Sequence, residues 1–435
     1  MKPTRTEKVY ITLLMIVFGG IVLHAPLSVG LGVVFPDYSL LIKSWKEIIM
    51  ALAFPVALLI IKRRGLFITL LNDQLIRLIA LFAGVHLMLA ALFYKGLSAT
   101  AAGLAIDLRY LLFFFLVYVA VLVVPGYRRR MIQIGIVGAF IVTGFAVAQL
   151  FLPADILTHI GYGKTTIAPY LTVDKNPNFI RENSTLRGPN PLGAYAGMVL
   201  GLLSAAWVRN RGMVKDKRVQ MGAVVLAICG MIALWVSYSR SALIAGLMAA
   251  LIPLFVAAWH KMSRKVWVIG AATILILGGL TVASLGNDFI SNVLLHENPN
   301  GGSSVSSNEG HVDSLITGWE QFIRQPLGNG VGSTGSASLF NGTHEVIENQ
   351  YLFIAHEAGW LGLVLFVAIF AIVLVRLWHR RRDWLALGVF ASGIGIASIG
   401  MLLPVWADDT VSIVWWGLAA IALGGAYEPG RNKTK

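Results

Sequence analysis

Apolar residues run unbroken along most of this chain for the length of a membrane helix, and polar residues gather in short clusters between the runs. Runs of roughly 18 to 25 apolar residues recur about twelve times, and about 20 suffice to cross the hydrocarbon layer. Their centres fall near Phe18, Leu52, Val85, Phe114, Ile141, Met198, Leu226, Leu247, Thr273, Leu365, Ile394 and Leu418. Lipid offers no partner to a backbone N–H or C=O, so each run must satisfy its own backbone as a helix. The expected fold is an all-α polytopic membrane protein, one transmembrane domain over residues 1–435 with about 12 transmembrane helices.

Two interruptions are longer than ordinary connections: a shorter loop at residues 153–186 and a large one at 286–349. Within the large loop, residues 298–308 are rich in Gly, Ser and Asn and read as turns. Leu315, Trp319, Phe322 and Ile323 then recur at helical spacing, with His311 one turn before Leu315 and Pro326 closing the pattern. The spacing predicts an amphipathic helix lying on the membrane surface. Pro326-Leu327-Gly328-Asn329-Gly330-Val331-Gly332-Ser333 follows, with glycines suited to tight turns and close backbone approach.

Composition and charge give the runs a direction. The chain is 57% hydrophobic and only 13% charged, with a mean hydropathy of +0.75. Most of its 35 Lys and Arg residues sit at alternate span ends, in clusters around Lys2, Lys62, Arg128, Arg209, Lys261, Arg376 and Arg431. Positive loops resist translocation, so both termini are expected in the cytoplasm and both long loops outside. The net charge of +14 then reflects topology, and short clusters at span ends exclude a nucleic-acid partner. The first run lacks a small-residue cleavage site and reads as a retained anchor. Cys229 stands alone inside a span, so neither disulfides nor cysteine metal sites are expected. No internal repeat is evident, which weighs against a transporter, and the short cytoplasmic loops direct any chemistry to the outer face.

Arg187-Gly188-Pro189-Asn190-Pro191 opens the sixth span, with Asn190 expected as N-cap and Pro191 as first helical residue. A helix start carries unpaired N–H groups and partial positive charge, so Arg187 beside it makes either an anion site for a phosphate or diphosphate or an ordinary interfacial start. Ser237-Tyr238-Ser239-Arg240-Ser241 repeats the arrangement, with Arg240 beside a start capped by Ser239. The two arginines are either one convergent diphosphate grip or two separate anchors. Arg77, Asp107 and Arg109 lie within spans and need partners; Asp107 with Arg77 or Arg109 is expected as a structural pair, the alternative being an outward-opening polar cavity. Lys43, Lys46, Glu47 and Lys95 read as solvated or snorkelling groups. Proton acceptors are available in His311, Asp313, His344, Glu345, Glu348, His356 and Glu357, with Asn349 placed to cap the tenth span. His311 alternatively packs against Trp319. The GxGxxG spelling at residues 330–335 lacks the preceding strand of a dinucleotide site, and the histidines lack metal-ligand spacing, so neither cofactor nor metal is expected.

Taken together, these motifs resemble the O-antigen ligase and O-antigen polymerase superfamily, bacterial inner-membrane glycosyltransferases with about a dozen spans and one large periplasmic loop. The likeness covers residues 187–362. Arg187 with its Pro-Asn helix start, Ser239-Arg240, Pro326-Leu327 with spaced glycines, Glu348-Asn349-Gln350-Tyr351-Leu352 and Glu357-Ala358-Gly359-Trp360-Leu361-Gly362 carry it. The resemblance implies a donor glycan on undecaprenyl diphosphate, held through Arg187 and Arg240, and a saccharide or lipid A core hydroxyl as acceptor, deprotonated by Glu348 or His311 without a metal. Asn190, Ser239, Arg109, His344 and Asn349 would support the site. Ligases usually carry His where this chain has Glu348, which favours a polymerase or exopolysaccharide-type transferase over a lipopolysaccharide ligase. The reading from another class is a transporter or flippase of lipid-linked sugars, whose working groups should lie near the bilayer midplane. A third is a structural or signalling membrane protein that uses its outer loop as a ligand platform.

Overall fold

The computed structural model describes residues 3–173, 175–210, 215–259, 307–343 and 345–424. The expected run near Thr273, the expected turns at 298–306 and His344 lie outside the described residues. Every other expected run is a helix. Together with α2 and the loop helix α10, which are not among those runs, the helices in chain order are α1 (Arg5–Gly20), α2 (His24–Val34), α3 (Trp45–Arg64), α4 (Gln74–Leu92), α5 (Leu97–Val123), α6 (Tyr127–Gln149), α7 (Pro189–Arg209), α8 (Lys217–Val236), α9 (Arg240–Ala258), α10 (Ser307–Arg324), α11 (Gln350–His379), α12 (Trp384–Gly400) and α13 (Asp409–Gly424). Among the described residues, eight helices are long and apolar enough to cross a membrane, counting Arg5–Val34 as one, and a ninth is reached if Pro36–Lys43 and α3, bent by 48°, form one span. α12 and α13 are apolar but shorter, at 17 and 16 residues. The described chain is therefore all-α and membrane-like, with fewer full-length spans than the twelve expected.

Helix ends follow local chemistry. Asp73, Asp216, Asp383 and Asn349 each accept a backbone N–H at the start of α4, α8, α12 and α11, satisfying donors that a helix start leaves open. Thr4 and Glu7 form a reciprocal capping box on α1. Inside the bundle, Gly193, Gly197 and Gly201 line the side of α7 that meets α9, and a Cβ on Gly197 would stand 2.9 Å from the Cα of Gly246. Lipid tails give apolar helices no hydrophobic reason to associate, so close backbone contact through small residues supplies the cohesion. This pairing sets α7 and α9 parallel, with their first turns side by side.

At the basic end of the bundle, carboxylates fasten one helix to another. Asp73 accepts two hydrogen bonds from Arg376, at 2.7 and 3.0 Å, and one from Tyr118 at 3.2 Å, joining α4, α5 and α11. Glu7 holds Arg64 at 2.6 and 2.9 Å, and Asp383 pairs with Arg128. At the opposite end the chain is irregular. Residues 153–186, expected as a polar loop, carry the antiparallel pair β1 (Leu171–Val173) and β2 (Asn176–Arg181) and then pass beneath the helix starts. Residues 182–186 are buried there: Ser184 bonds Gln149 at 2.8 Å and the Val142 carbonyl at 2.6 Å, while the Glu182 N–H donates to Val236 at 3.1 Å.

Candidate functional site

The first turns of α7 and α9 form the centre of the irregular end, and one side chain that the sequence reading did not single out ties them together. Arg181, the last residue of β2, donates Nε to the Ser237 carbonyl at 3.0 Å and a terminal nitrogen to Asn190 Oδ1 at 2.7 Å. Asn190 is thus not the N-cap. α7 begins at Pro189 with Gly188 as cap, and the Asn190 side chain serves Arg181 instead. Ser239 is the cap residue of α9, but its hydroxyl lies 3.4 Å from that of Ser241 and closes no backbone donor. Neither start has a side-chain cap, so both keep partial positive charge; α9 keeps open N–H groups, whereas in the first turn of α7 Pro189 and Pro191 leave only the Asn190 N–H.

Arg187 is exposed and, among the described residues, makes no hydrogen bond or ion pair. Its charge acts on Asp408, Asp409 and Tyr162. Arg240, the first residue of α9, is partly buried. Glu182, buried below these turns with one carboxylate oxygen unpartnered, has its pKa raised because burial disfavours the charged form.

The expected pairing of Asp107 with an arginine is overturned. Arg77 is exposed, and Arg109 donates to the Ala407 carbonyl and lies 3.8 Å from Glu47. Asp107 instead stands 3.4 Å from His86 Nε2, and both side chains, like that of Glu357, are fully buried. Lys46, read as solvated, is 3% exposed and lies 3.1 Å from Asp409 and 3.2 Å from His24, which itself is 3.0 Å from Asp409. Desolvation explains the reversal, since a lysine enters an apolar bundle only alongside a carboxylate.

The glycine-rich segment supplies the next wall. Gly332 lies so close to α5 that a Cβ would stand 2.3 Å from the Ala99 carbonyl oxygen, and its φ is +85°. Glu357 accepts the Thr334 N–H at 3.2 Å, and Asn329 N–H donates to the His356 carbonyl at 2.6 Å. α11 breaks at Gly359, with φ 66° and ψ −171°, and there the Trp360 N–H turns to the Pro326 carbonyl at 2.9 Å. Lys95 bonds Asn329 at 3.0 Å, so it too is engaged rather than free.

α10 forms where the periodicity placed it, and it carries His311 onto Glu348. His311 Nδ1 and a Glu348 carboxylate oxygen form an ion pair, with both side chains about one-third exposed at 30% and 32%. Ser314, one turn on, accepts the Glu348 N–H at 2.8 Å. His311 is therefore paired with Glu348 rather than set against Trp319. A neutral imidazole that turned Nδ1–H to the carboxylate would carry its lone pair on Nε2. Asn349 caps α11 as expected, accepting from Tyr351 and Leu352 at 2.9 and 3.0 Å, and its amide donates to the Met401 carbonyl at 2.7 Å. Residues 401–409 then run from this pair toward Arg187: Trp406 N–H donates to Gln350 at 2.8 Å, and Asp408 and Asp409 feel the Arg187 charge. Among the described residues, no group of three or more His, Cys, Asp or Glu side chains is arranged to hold a metal ion.

No protein-family model matches the chain, and no curated protein matches it. Its chemistry must accordingly be argued from the geometry above. At one end of the bundle lie an arginine without a partner among the described residues, two helix starts without side-chain caps and a histidine–carboxylate pair. Arg181 and the His24–Lys46–Asp409 cluster were missed because their signal is an interaction between distant segments.

Proposed function

We propose that the protein is a membrane glycosyltransferase that moves a glycan from an undecaprenyl-diphosphate donor to a saccharide hydroxyl at its outer face, of the O-antigen or exopolysaccharide polymerase type. The observation that carries this reading is the His311–Glu348 pair on the same rim as the α7 and α9 starts. Transfer needs a group to take the acceptor proton and positive charge to stabilise the departing diphosphate. His311, oriented by Glu348, fits the first need. Arg187, Arg240, the partial positive charge of the two helix starts and the N–H groups of the α9 start fit the second. The resemblance of the same motifs to O-antigen polymerases and ligases supports the assignment, and Glu348 in place of the ligase histidine favours the polymerase.

The test is purified protein in detergent with a lipid-linked donor and no membrane gradient. Expected is longer glycan from the wild type and a loss of about 10²- to 10⁴-fold in His311→Ala, the range for a general base. Glycan synthesis at the wild-type rate by His311→Ala and Glu348→Ala alike would overturn the assignment. Movement of donor across vesicles without bond formation would point to a flippase instead.

A further inference from the structure

At the basic end, a cavity of about 280 Å³ opens between α5, the last turn of α11 and the end of α13, lined by Tyr118, Arg376, His379, Arg380 and Leu423. Its charges are unevenly matched. Arg376 is neutralised by Asp73, and nearby Arg128 by Asp383. Arg380 has no such partner: one terminal nitrogen donates to the carbonyls of Ala422 and Leu423, and no carboxylate of the described residues lies within ion-pair distance. Arg380 is only partly buried, and it lines the opening together with Tyr118 and Arg376. His379 stands exposed beside them, its Nδ1 on the Val375 carbonyl at 2.7 Å, leaving Nε2 toward solvent.

The surroundings place this opening at headgroup depth. Val375 and Trp378 on the same turns are exposed, and the Arg381 guanidinium stacks on Trp378 at 4.6 Å. An aromatic ring with an arginine over it is the arrangement expected where hydrocarbon meets water. An arginine fork with free donors at that depth fits one ligand chemistry above others, an oxygen-rich anion such as a phosphodiester.

We propose that this cavity binds the phosphate of an anionic phospholipid, with Arg380 as the main contact and His379 at the mouth. The site is separate from the rim that carries Arg187, and it does not depend on the transfer reading. Basic pockets between membrane helices recognise headgroups in this way, each basic residue adding about 1 kcal/mol.

The experiment is native mass spectrometry of the full chain released from micelles containing equal phosphatidylglycerol and phosphatidylcholine. Wild type is expected to retain phosphatidylglycerol roughly fivefold over phosphatidylcholine, the ratio that about 1 kcal/mol gives. Arg380→Gln should lose that preference. Because Arg380 also holds the α13 carbonyls, the exposed substitution His379→Glu serves as a second variant, and it should lose the preference with an unchanged melting temperature. Displacement of the lipid by millimolar inorganic phosphate would assign the same anion site to free phosphate, whereas no displacement assigns it to the headgroup. Equal retention by wild type and both variants would overturn the proposal. So would a preference that appears only after removal of residues 425–435, since the chain's own tail would then be the occupant.

Discussion

The two ends of the helical bundle spend their charges differently. At the basic end, Glu7, Asp73 and Asp383 each cap or brace a helix start and at the same time hold an arginine from elsewhere in the chain. At the loop-bearing end Arg187 is left uncommitted, and the α7 and α9 starts have no side-chain cap. Charges tied to a partner fasten helices, whereas charges and N–H groups left open are available to a ligand. The comparison therefore predicts that substitutions at the basic end cost stability and those on the open rim cost activity.

The largest effect should come from the backbone contact beneath the open rim. Gly332→Val places a branched side chain at φ +85° against the Ala99 carbonyl, where neither backbone can yield. Strain and overpacking together should cost about 3 kcal/mol or more, enough to remove monodisperse protein from size-exclusion profiles. Gly222→Ala in α8, where a Cβ meets nothing within 4 Å, is the matched control and should elute as wild type. A normal profile and melting temperature for Gly332→Val would mean that the glycine-rich segment is not packed on α5 as described.

Next in size is Arg187→Ala. Because this side chain makes no bond within the described protein, its removal should leave the melting temperature unchanged while lowering transfer by about 10²- to 10³-fold, the usual worth of one charge-stabilising group. Asp73→Asn should do the reverse. The amide still caps α4, but Arg376 loses its counter-charge, and about 2 kcal/mol of stability should go with it while activity per folded molecule stays constant. If the two variants exchanged phenotypes, the division between fastening and working charges would be wrong.

How much of this was legible beforehand follows the same division. Eleven of the twelve apolar runs fall on described helices because membrane length and apolarity act on each segment by itself. α10 and the Asn349 cap are equally local, and both formed as read. The helix start at Pro189 was misplaced by two residues because Pro189 and Pro191 are both acceptable early helical residues, and only the long-range bond from Arg181 fixes the role of Asn190. The same holds for Asp107, whose neighbour His86 lies on α4. Sequence made clear that a buried carboxyl needs company, but the nearest arginine in the chain was not the one that supplied it. His311 and Glu348 were each visible as proton acceptors, and their union became visible only when α10 folded back onto the start of α11.

The smallest effect probes the floor of the rim. Glu182 is buried beneath the helix starts with an unpartnered oxygen, and burial raises its pKa above the ordinary carboxylate value of 4.5. A group whose folded pKa is raised adds stability that is fully present below the unfolded pKa and is lost as the pH climbs through the folded value. Once the carboxyl has lost its proton, the folded protein carries a charge that the surroundings do not welcome. Glu182→Gln removes that charge, and it should raise stability at pH 7 to 8 by about 1 kcal/mol, the order of an unsatisfied buried group. The gain should shrink as the pH falls and vanish once the wild-type carboxyl is protonated in both states, below about pH 4. Melting temperatures of the two proteins measured in parallel from pH 4 to 8 would decide it. A gain that stayed constant across that range, or that grew toward acid, would mean that Glu182 is paired in solution, one more committed carboxylate beside Glu348 and Asp409, which would bring the wiring of this end closer to that of the basic end.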